Sequence, residues 1–361
     1  MRVLIVKVSS LGDIIHTLPA VTDAHRAHKD LVFDWVVEEN FVEVPSWHPA
    51  VDKVIPVALR RWRRNLVKTY MNHEFRAFKH ALQGEHYDLV IDAQGLIKSG
   101  IISRLSKGLT IGLSNRTIRE PLATLFYNKM YSVPWTEHAV DRVRQLFSRA
   151  LQHRYDRDAV DYGIDIAQFD GASVNENEKQ VIFLHGTTWA TKHWPEHYWR
   201  HLAHIATEAG YKVRVPWGDA EERKRAEFIA KGNDAVTVLD KLTLGGIAQE
   251  ISQSNGVIAV DTGLGHLAAA LAKPTVSLYG PTNPGLSGTY GFSQLHLTSN
   301  LNCAPCVKKT CAYNGPGVTD EFEDQPFPVT PACFSSNKPA TVWMQFEELL
   351  GKEPALVEVR P

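Results

Sequence analysis

The chain has 361 residues, of which 44% are hydrophobic and 22% are charged. This composition is ordinary for a globular protein and excludes intrinsic disorder, collagen and a small disulfide-stabilised scaffold. The length predicts two domains, each with its own hydrophobic core. The 39 Lys and Arg residues nearly balance the 40 Asp and Glu residues, which argues against a general nucleic-acid binder.

The balance of charge conceals a difference between the two halves. Residues 1–150 contain 21 basic and 15 acidic side chains, whereas the rest of the chain contains 18 and 25. The basic half indicates an acidic partner, unless the excess belongs only to solvated helix faces. No apolar run approaches the roughly 18 to 20 residues of a membrane-spanning helix, and the first residues lack the features of a signal peptide. We therefore expect a cytoplasmic protein that can bind to a membrane surface.

Short β-branched segments alternate with longer amphipathic segments along the whole chain. This alternation predicts an α/β fold, in which helices cover parallel sheets. In the first half the predicted strands are Val3–Val8, Phe33–Glu38, Lys53–Val57, Leu89–Asp92 and Thr110–Leu113.

The pattern restarts after the irregular segment Tyr155–Gln180, where we predict the domain boundary. The strands predicted beyond it are Val181–Leu184, Lys212–Pro216, Val236–Leu239, Gly256–Val260 and Thr275–Tyr279. The helices predicted between and after them are Pro195–Thr207, Glu221–Lys231, Leu244–Ser252, Gly265–Leu271 and Thr341–Leu350, with Leu301–Lys338 as a loop.

We predict a first domain of residues 1–160, a second of 161–340, and a helix and tail of 341–361 that pack back on the first domain. Two doubly wound domains in one chain predict a cleft between them, with functional loops at the carboxyl ends of the strands.

The first candidate site is the turn Ser9–Asp13, which directly follows the first predicted strand. Gly12 in this turn permits a close approach of the backbone. Asp13 has no cation next to it in sequence. Its carboxylate is therefore either a general base that faces the cleft or a cap in the first turn of a helix.

The second candidate site is the segment His185–Pro195, between a predicted strand and a predicted helix. Its hydroxyl groups, amides and Lys192 could hold a phosphate group, although the spacing is not that of a P-loop. Lys192 taken alone could equally be a solvated side chain.

Two further turns follow strands in the second half. In the segment Val260–His266, glycines at a helix start let backbone amides reach an anion. In the segment Pro216–Glu222, a carboxylate could accept hydrogen bonds from ribose hydroxyls or could simply lie in the first turn of a helix.

A basic and aromatic cluster lies near the predicted third strand. Guanidinium groups at this density suit carboxylates and phosphates, so we expect a phosphorylated, carboxylated glycolipid and an anionic membrane as partners. Nucleic acid and a solvated face are the alternatives. The cluster consists of Arg60, Arg61, Trp62, Arg63 and Arg64, followed by Lys68, Arg76 and Lys79.

All four cysteines, Cys303, Cys306, Cys311 and Cys333, fall in the predicted loop. Four thiolates could bind a structural zinc ion, but the long interval before Cys333 weakens that interpretation. Free cysteines, or redox chemistry, are the alternatives.

These motifs together resemble the bacterial lipopolysaccharide heptosyltransferases of glycosyltransferase family nine, and most closely those of type I. The resemblance covers nearly the whole chain. It is carried by the segments MRVLIVKVSSLGDIIHTLPAVTDA, FDWVVEENF, VPSWHPAVDKVIPVALRRWRR, YDLVIDAQGLIKS, REPLATLFYNK, KHWPEHYWR, VPWGDAEE and DTGLGHLAAAL.

The resemblance implies a GT-B fold and an inverting transfer of L-glycero-D-manno-heptose from ADP-heptose to Kdo of Kdo-lipid A, at the cytoplasmic face of the inner membrane. It implies Asp13 as general base and Lys192 as a catalytic group at the donor diphosphate. The implied donor-binding residues are Thr187, Thr188, Lys192, Glu222, Leu242, Asp261, Thr262, Gly263, Leu264 and His266. The implied acceptor-binding residues are Ser10, Arg60, Arg61, Arg63, Arg64 and Arg119.

We expect no required cofactor or catalytic metal ion, and we expect a monomer. The segment Cys303–Cys333 resembles instead the cysteine-rich stretch of the type II enzymes. A heptosyltransferase that uses the same donor and a heptosylated acceptor is therefore the nearest alternative. A sugar-nucleotide epimerase and a two-domain solute-binding protein are more distant alternatives.

Overall fold

The computed structural model describes residues 1–64, 73–169, 178–352 and 358–360, the last three by their backbone alone. The chain divides into two compact units, Met1–Asp165 and Ile166–Pro361. The division lies within the irregular segment chosen from the sequence, five residues beyond the boundary at 160. Each unit contains its own parallel sheet, and the doubly wound α/β class is confirmed.

The first unit is built on a six-stranded parallel sheet with the order β3-β2-β1-β4-β5-β6. Four consecutive residues of β1, Val3–Val6, are fully buried, as expected for a strand that is covered on both faces. The strands are β1 Arg2–Val6, β2 Val32–Glu38, β3 Val51–Val57, β4 Leu89–Asp92, β5 Leu109–Leu113 and β6 Lys129–Tyr131. Strand β6 was not predicted, because it is a short, largely exposed edge strand without an apolar run.

Helices cover the sheet of the first unit. They are α1 Leu11–Ile15, α2 Leu18–Ala27, α3 Glu43–Ser46, α4 Leu59–Trp62, α5 Glu74–Gln83, α6 Ile97–Leu105 and α7 Ala139–Leu151, with 3₁₀ helices at Glu39–Phe41 and Pro121–Phe126. Helices α2 and α7 pack together. The buried Arg144 of α7 lies 2.6 Å from the Asp23 carboxylate of α2 and stabilises that contact.

The second unit contains a seven-stranded sheet with the order β15-β12-β11-β10-β7-β8-β9. The strands of the unit are β7 Gln180–Leu184, β8 Lys212–Val215, β9 Val236–Val238, β10 Gly256–Val260, β11 Thr275–Tyr279, β12 Gln294–Thr298, β13 Thr319–Phe322, β14 Gln325–Pro328 and β15 Glu358–Arg360. The helices are α8 Glu196–Glu208, α9 Ala220–Ala230, α10 Leu244–Gln253, α11 Gly263–Ala270, α12 Pro284–Ser287 and α13 Pro339–Leu350. The 3₁₀ helices are Ile166–Phe169, Ala190–Lys192 and Ala332–Phe334.

The last helix, α13, belongs to the second unit. It packs on α8 and β11, and its side chains Val342, Trp343 and Phe346 join the core of that unit. The strand β15 that follows pairs with β12. We expected the segment 341–361 to pack on the first domain, whereas the described contacts of α13 and β15 lie in the second unit, because the apolar face of α13 completes the core there.

The sequence predicted that the segment Leu301–Lys338 is a loop, but part of it is a β-hairpin. Strands β13 and β14 form an antiparallel hairpin within it. The hairpin lies on α8, where the ring of Phe327 stacks on His197 and that of Phe322 stacks on His201, each at 4.5 Å between centroids. These contacts involve aromatic partners far apart in sequence, so the local pattern did not reveal them.

The strand order shows where each unit can bind a ligand. In both sheets the order reverses beside the first strand of the unit, between β1 and β4 and between β7 and β10. Ligands of doubly wound folds bind outside the carboxyl ends of the strands at this point. Within the described residues, no helix is long and apolar enough to cross a membrane.

Candidate functional site

Asp13 lies at the switch point of the first unit, in the short helix that follows β1. Its Oδ2 atom accepts hydrogen bonds from the backbone amide and the hydroxyl of Ser10, both at 2.8 Å. Its Oδ1 atom lies 3.7 Å from Lys7 Nζ, and its side chain is 39% exposed. The carboxylate therefore takes part in the capping box of its helix and also remains partly open to solvent, so the general-base role stays a prediction.

The surroundings of Asp13 keep its carboxyl group ionised. Burial favours the neutral form, but Lys7, the two Ser10 hydrogen bonds and Arg119 outweigh it and lower the pKa of Asp13. Lys7 is itself buried, which lowers its pKa despite the nearby Asp13 and Asp92. Sequence reasoning missed Lys7 as the cation beside Asp13. The signal that could have revealed it is a lysine at the carboxyl end of an otherwise apolar strand.

The loop after β4 fixes the position of the loop that carries Asp13. Gln94 Oε1 accepts hydrogen bonds from the amides of Val8 and Ser9, at 2.9 and 3.0 Å. Lys7 Nζ donates to the carbonyl oxygen of Ala93 at 2.9 Å. These bonds cross the switch point between β1 and β4 and were not predicted, because they join residues more than 80 positions apart.

The predicted acceptor-side arginines do not share one environment. Arg61 is paired with Glu39 and Glu74, at 2.9 and 2.8 Å, and these partners raise its pKa. The side chains of Arg60, Arg63, Arg64 and Arg119 are exposed, as is that of Arg61 at 54%. The charge of Arg61 is therefore largely balanced by these two carboxylates of the protein. Lys68, also selected from the sequence, lies outside the described residues.

Lys98, which sequence analysis did not select, joins this group. Burial lowers the pKa of its ammonium group, and the nearby charges of Arg60 and Arg63 lower it further against the opposing effect of Glu38. Three cations that follow β3 and β4 thus lie close enough to interact, at the same edge of the sheet. Such a group can bind the phosphates or carboxylates of an acidic ligand.

Asp261 is the centre of the candidate site in the second unit. Lys192 Nζ lies 2.7 Å from its Oδ2 atom, to which Thr282 also donates a hydrogen bond at 2.6 Å. Thr187 donates to the backbone oxygen of Asp261 at 3.0 Å. The structure thus brings the loops after β7 and β10 together at the second switch point. Thr188, beside Thr187, is exposed.

Lys192 is held in place from a second side. Its ammonium group lies 4.6 Å from the centre of the Trp189 ring, and Lys309 approaches the same ring at 5.5 Å. Thr191 donates a hydrogen bond to the carbonyl oxygen of Lys308 at 2.7 Å. Lys192 is therefore a mostly buried cation with a fixed position, and Lys309 is a second cation nearby that sequence reasoning missed.

Glu222 connects the loops after β7 and β8. Its Oε2 atom accepts a hydrogen bond from the amide of Gly218 at 2.7 Å, while Asp219 caps α9. A methyl group at Gly186 would overlap with the Glu222 carboxylate. Glu222 thus lies in the first turn of α9 and also contacts the loop after β7, while Asp219 is the N-cap of that helix; the ribose-binding role of Glu222 stays a prediction.

The start of α11 supplies the remaining predicted donor-side residues. Thr262 has extended backbone angles, and Gly263 and Leu264 form the first turn, whose amides can face an anion. His266 is buried within the helix. Leu242 lies elsewhere, against Gly246 of α10, where it lines a cavity of about 240 Å³ together with Asp240 and the Arg214–Glu250 ion pair.

The four cysteines are free, and all of them line one cavity of about 140 Å³. Burial and the other three thiols raise the pKa of Cys333 to about 12. Across the described ranges, no three His, Cys, Asp or Glu side chains are grouped closely enough to hold a metal ion. The possible zinc site at Cys303, Cys306, Cys311 and Cys333 is accordingly not formed in this arrangement.

The chemistry available to the two units is complementary. The first unit offers an ionised, half-exposed carboxylate that can accept a proton from a hydroxyl group. The second offers a fixed ammonium group, hydroxyls and helix amides that can stabilise an anionic leaving group. These are the requirements of a group transfer to an alcohol.

Comparisons with known proteins agree with this chemistry. The family model for glycosyltransferase family 9 (heptosyltransferase) matches residues 75–315. Lipopolysaccharide heptosyltransferase 1 of Pseudomonas aeruginosa is 53% identical over 351 residues, which cover 97% of this chain and 98% of that protein.

Two solved structures of an Escherichia coli heptosyltransferase, WaaC, are similar over most of the chain. The structure with ADP has a TM-score of 0.78 and 46% identity, and covers 82% of this chain and 92% of that one. The structure with ADP-2-deoxy-2-fluoro heptose has a TM-score of 0.76 and 45% identity, with the same coverage.

Proposed function

The chain belongs to glycosyltransferase family 9, the heptosyltransferases, and from this premise we propose its substrates and mechanism. The proposed reaction moves L-glycero-D-manno-heptose from ADP-heptose to Kdo of Kdo-lipid A, with inversion at the anomeric carbon. The observation that carries this proposal is the ionised carboxylate of Asp13, which is half-exposed at the first switch point. It is supported by the lipopolysaccharide relatives and by the ADP-heptose analogue in a similar structure.

The second unit is the proposed donor site. Lys192, Thr187 and Thr188, together with the first turn of α11 at Thr262, Gly263 and Leu264, would hold the diphosphate. Glu222 would accept hydrogen bonds from the ribose hydroxyls, and Leu242 would contact the adenine. Asp261 would face the heptose hydroxyls, with His266 packed behind it.

The Lys192–Asp261 pair has a specific consequence for donor binding. An ammonium group paired with one carboxylate at 2.7 Å gains a second anionic partner when the diphosphate binds. Asp261 is then free to share its remaining acceptor positions with the sugar. The pair thus keeps a buried cation satisfied before the donor arrives.

The first unit is the proposed acceptor site. Arg60, Arg63, Arg64 and Arg119 would contact the phosphates and Kdo carboxylates of the acceptor, and Lys98 would extend this group. Ser10 would contact the acceptor beside Asp13. Arg61, which is paired with Glu39 and Glu74, would act by positioning its neighbours.

The proposed chemistry is a single displacement. A Kdo hydroxyl attacks the anomeric carbon of the heptose while Asp13 takes its proton, and the bond between that carbon and the diphosphate oxygen breaks. ADP leaves with the electron pair, and Lys192 and the amides of α11 stabilise the charge that develops. The inversion follows from attack on the face opposite the leaving group. Because these groups act at the leaving oxygen, no metal ion is required in this scheme.

The proposed acceptor also places the protein at a membrane. Kdo-lipid A carries acyl chains, so the enzyme would act as a peripheral protein on the cytoplasmic face of the inner membrane, as a monomer. The basic residues of the first unit would face the anionic surface.

The decisive experiment measures ADP release from ADP-heptose with and without Kdo-lipid A, in buffer containing EDTA, with mass spectrometry of the lipid. We expect ADP release that depends on the acceptor and one added heptose. Transfer only to an acceptor that already carries heptose would instead establish the type II reaction. An absolute requirement for Mg²⁺ would contradict the metal-free mechanism, and ADP release without any acceptor would contradict transfer.

A further inference from the structure

Four aliphatic side chains of the first unit are exposed on two neighbouring elements. Leu122 and Leu125 of the 3₁₀ helix Pro121–Phe126 are 62% and 79% exposed, and Ile97 and Ile101 of α6 are 36% and 44% exposed. The two elements pack against each other. We call these four residues the leucine patch. Exposed aliphatic side chains grouped in this way indicate an interaction surface.

The packing that exposes the patch depends on a glycine. A Cβ atom at Gly100 would lie 2.7 Å from the Phe126 ring and 3.2 Å from the Ala123 oxygen, so the 3₁₀ helix lies directly on the backbone of α6. Ala123 is fully buried in this contact, while Leu122 and Leu125 remain outside. The apolar character of the 3₁₀ helix is thus not explained by the core of its own unit.

The patch is held on a fixed backbone. The Glu120 carboxylate accepts a hydrogen bond from the Ile97 amide at 2.7 Å, and the Glu120 backbone amide donates to Gly95 at 3.2 Å. The Ala123 amide in turn donates to the Glu120 backbone oxygen at 2.9 Å. The backbone of the 3₁₀ helix is therefore already ordered, and only the leucine side chains would lose freedom on binding.

Positive charge borders the patch on the side of the proposed acceptor site. Lys98 is the neighbour of Ile97 and interacts with the charges of Arg60 and Arg63. Arg119 lies two residues before the 3₁₀ helix and is close enough to Asp13 to lower the pKa of its carboxyl group. Glu120, which lies between Arg119 and the 3₁₀ helix in sequence, accepts a hydrogen bond from the Ile97 amide through its carboxylate.

We propose that the leucine patch inserts into the interface of an anionic lipid bilayer while the bordering cations contact lipid phosphates. An apolar surface edged by Lys and Arg is the combination that binds such an interface. This inference rests on the proposed function, because a membrane-embedded acceptor must reach the cations that border the patch. Four side chains fall well short of the roughly 800 Å² per partner that a stable dimer interface needs, so a second copy is not the occupant.

The expected effect follows from the burial of the two most exposed residues. Transfer of one leucine side chain out of water strengthens binding by about tenfold or more. The double variant Leu122→Ser/Leu125→Ser should therefore bind vesicles about a hundredfold more weakly. Leu109→Ser is the matched control, because Leu109 is a 49% exposed leucine of the same unit. It is the first residue of β5, so it lies at the amino end of the strand and not at the carboxyl ends, where ligands bind.

The test uses the full chain and vesicles of phosphatidylethanolamine with phosphatidylglycerol, beside vesicles of phosphatidylcholine. We expect sedimentation of the wild type and Leu109→Ser with the anionic vesicles, and loss of it in the double variant. Transfer to vesicle-embedded Kdo-lipid A should fall in parallel, while transfer to water-soluble deacylated Kdo-lipid A should remain unchanged.

Each other outcome has a defined meaning. Equal vesicle binding by the double variant and the wild type would overturn the proposal, as would a dimer of the wild type that the double variant converts to a monomer. Equal loss of transfer to the soluble acceptor would also overturn it, because the patch would then belong to the acceptor site. Failure of the wild type to transfer heptose to either acceptor would refute the proposed function, while vesicle binding without acceptor would still test the patch.

Discussion

Replacement of Lys7 by methionine tests whether the structure assigns the base and its supporting cation correctly. Methionine has a similar length and no charge, so the substitution removes the cation beside Asp13 without opening a large cavity. Burial favours the neutral form of the Asp13 carboxyl group. In the variant, only the Ser10 hydrogen bonds and the charge of Arg119 remain to stabilise the ionised form. The pKa of Asp13 should therefore rise in the variant.

The magnitude follows from the separation of the two charges. At 3.7 Å, two unit charges interact by about 1 kcal/mol in bulk water and about 4.5 kcal/mol at an effective dielectric constant of 20. Because the Asp13 side chain is 39% exposed, screening favours the lower end, about 1–2 kcal/mol. This corresponds to roughly a tenfold increase in the protonated-to-ionised ratio of the carboxyl group.

The assay is kcat/KM for transfer to deacylated Kdo-lipid A from about pH 3.5 to about pH 8, a range that includes the ordinary aspartate pKa of about 3.9. A base must be ionised to act, so a raised pKa makes the rate fall at a higher pH as the solution is acidified. We expect Lys7→Met to lose activity on the acidic side while it keeps most of its rate at alkaline pH. Lys107→Met, at an exposed lysine of the same unit, should keep the wild-type profile.

An unchanged pH profile in a folded Lys7→Met variant would refute the reasoning. It would show either that Asp13 is not the base or that Lys7 does not support it. A uniform loss at every pH would indicate that Lys7 acts only by positioning the loop through its bond to Ala93. Thermal unfolding and ADP binding separate these results from a failure to fold.

Three further predictions test other parts of the molecule. Asp13→Asn should bind ADP normally by calorimetry but lower turnover by about 10² to 10⁴, the usual contribution of a general base; turnover at the wild-type rate would exclude that role. Gly186→Ala should weaken ADP binding, because its methyl group would displace Glu222, whereas Gly317→Ala, with open space around it, should not. Phe346→Ala should lower the free energy of unfolding of the second unit by about 3–5 kcal/mol in urea titrations, because its ring is fully buried there; an unaffected second unit would contradict the assignment of α13.

The sequence by itself predicted the elements whose environment is encoded locally. Fully buried parallel strands such as β1, β4 and β10 are continuous apolar runs, and the predicted bounds of each lie within two residues of the observed ones. Because such strands carry ligands at their carboxyl ends, the turns at Asp13, Lys192 and Asp261 could also be selected from the order of residues along the chain.

The tertiary structure alone decided which groups meet. Lys7 lies beside Asp13 because the loop after β1 folds back on the strand end, and Arg61 is paired because Glu39 and Glu74 come from other elements. Helix α13 and the β13–β14 hairpin both pack on α8, and these contacts determine their positions. Contacts of this kind depend on side chains brought together by long-range packing, and no local pattern of residues records them.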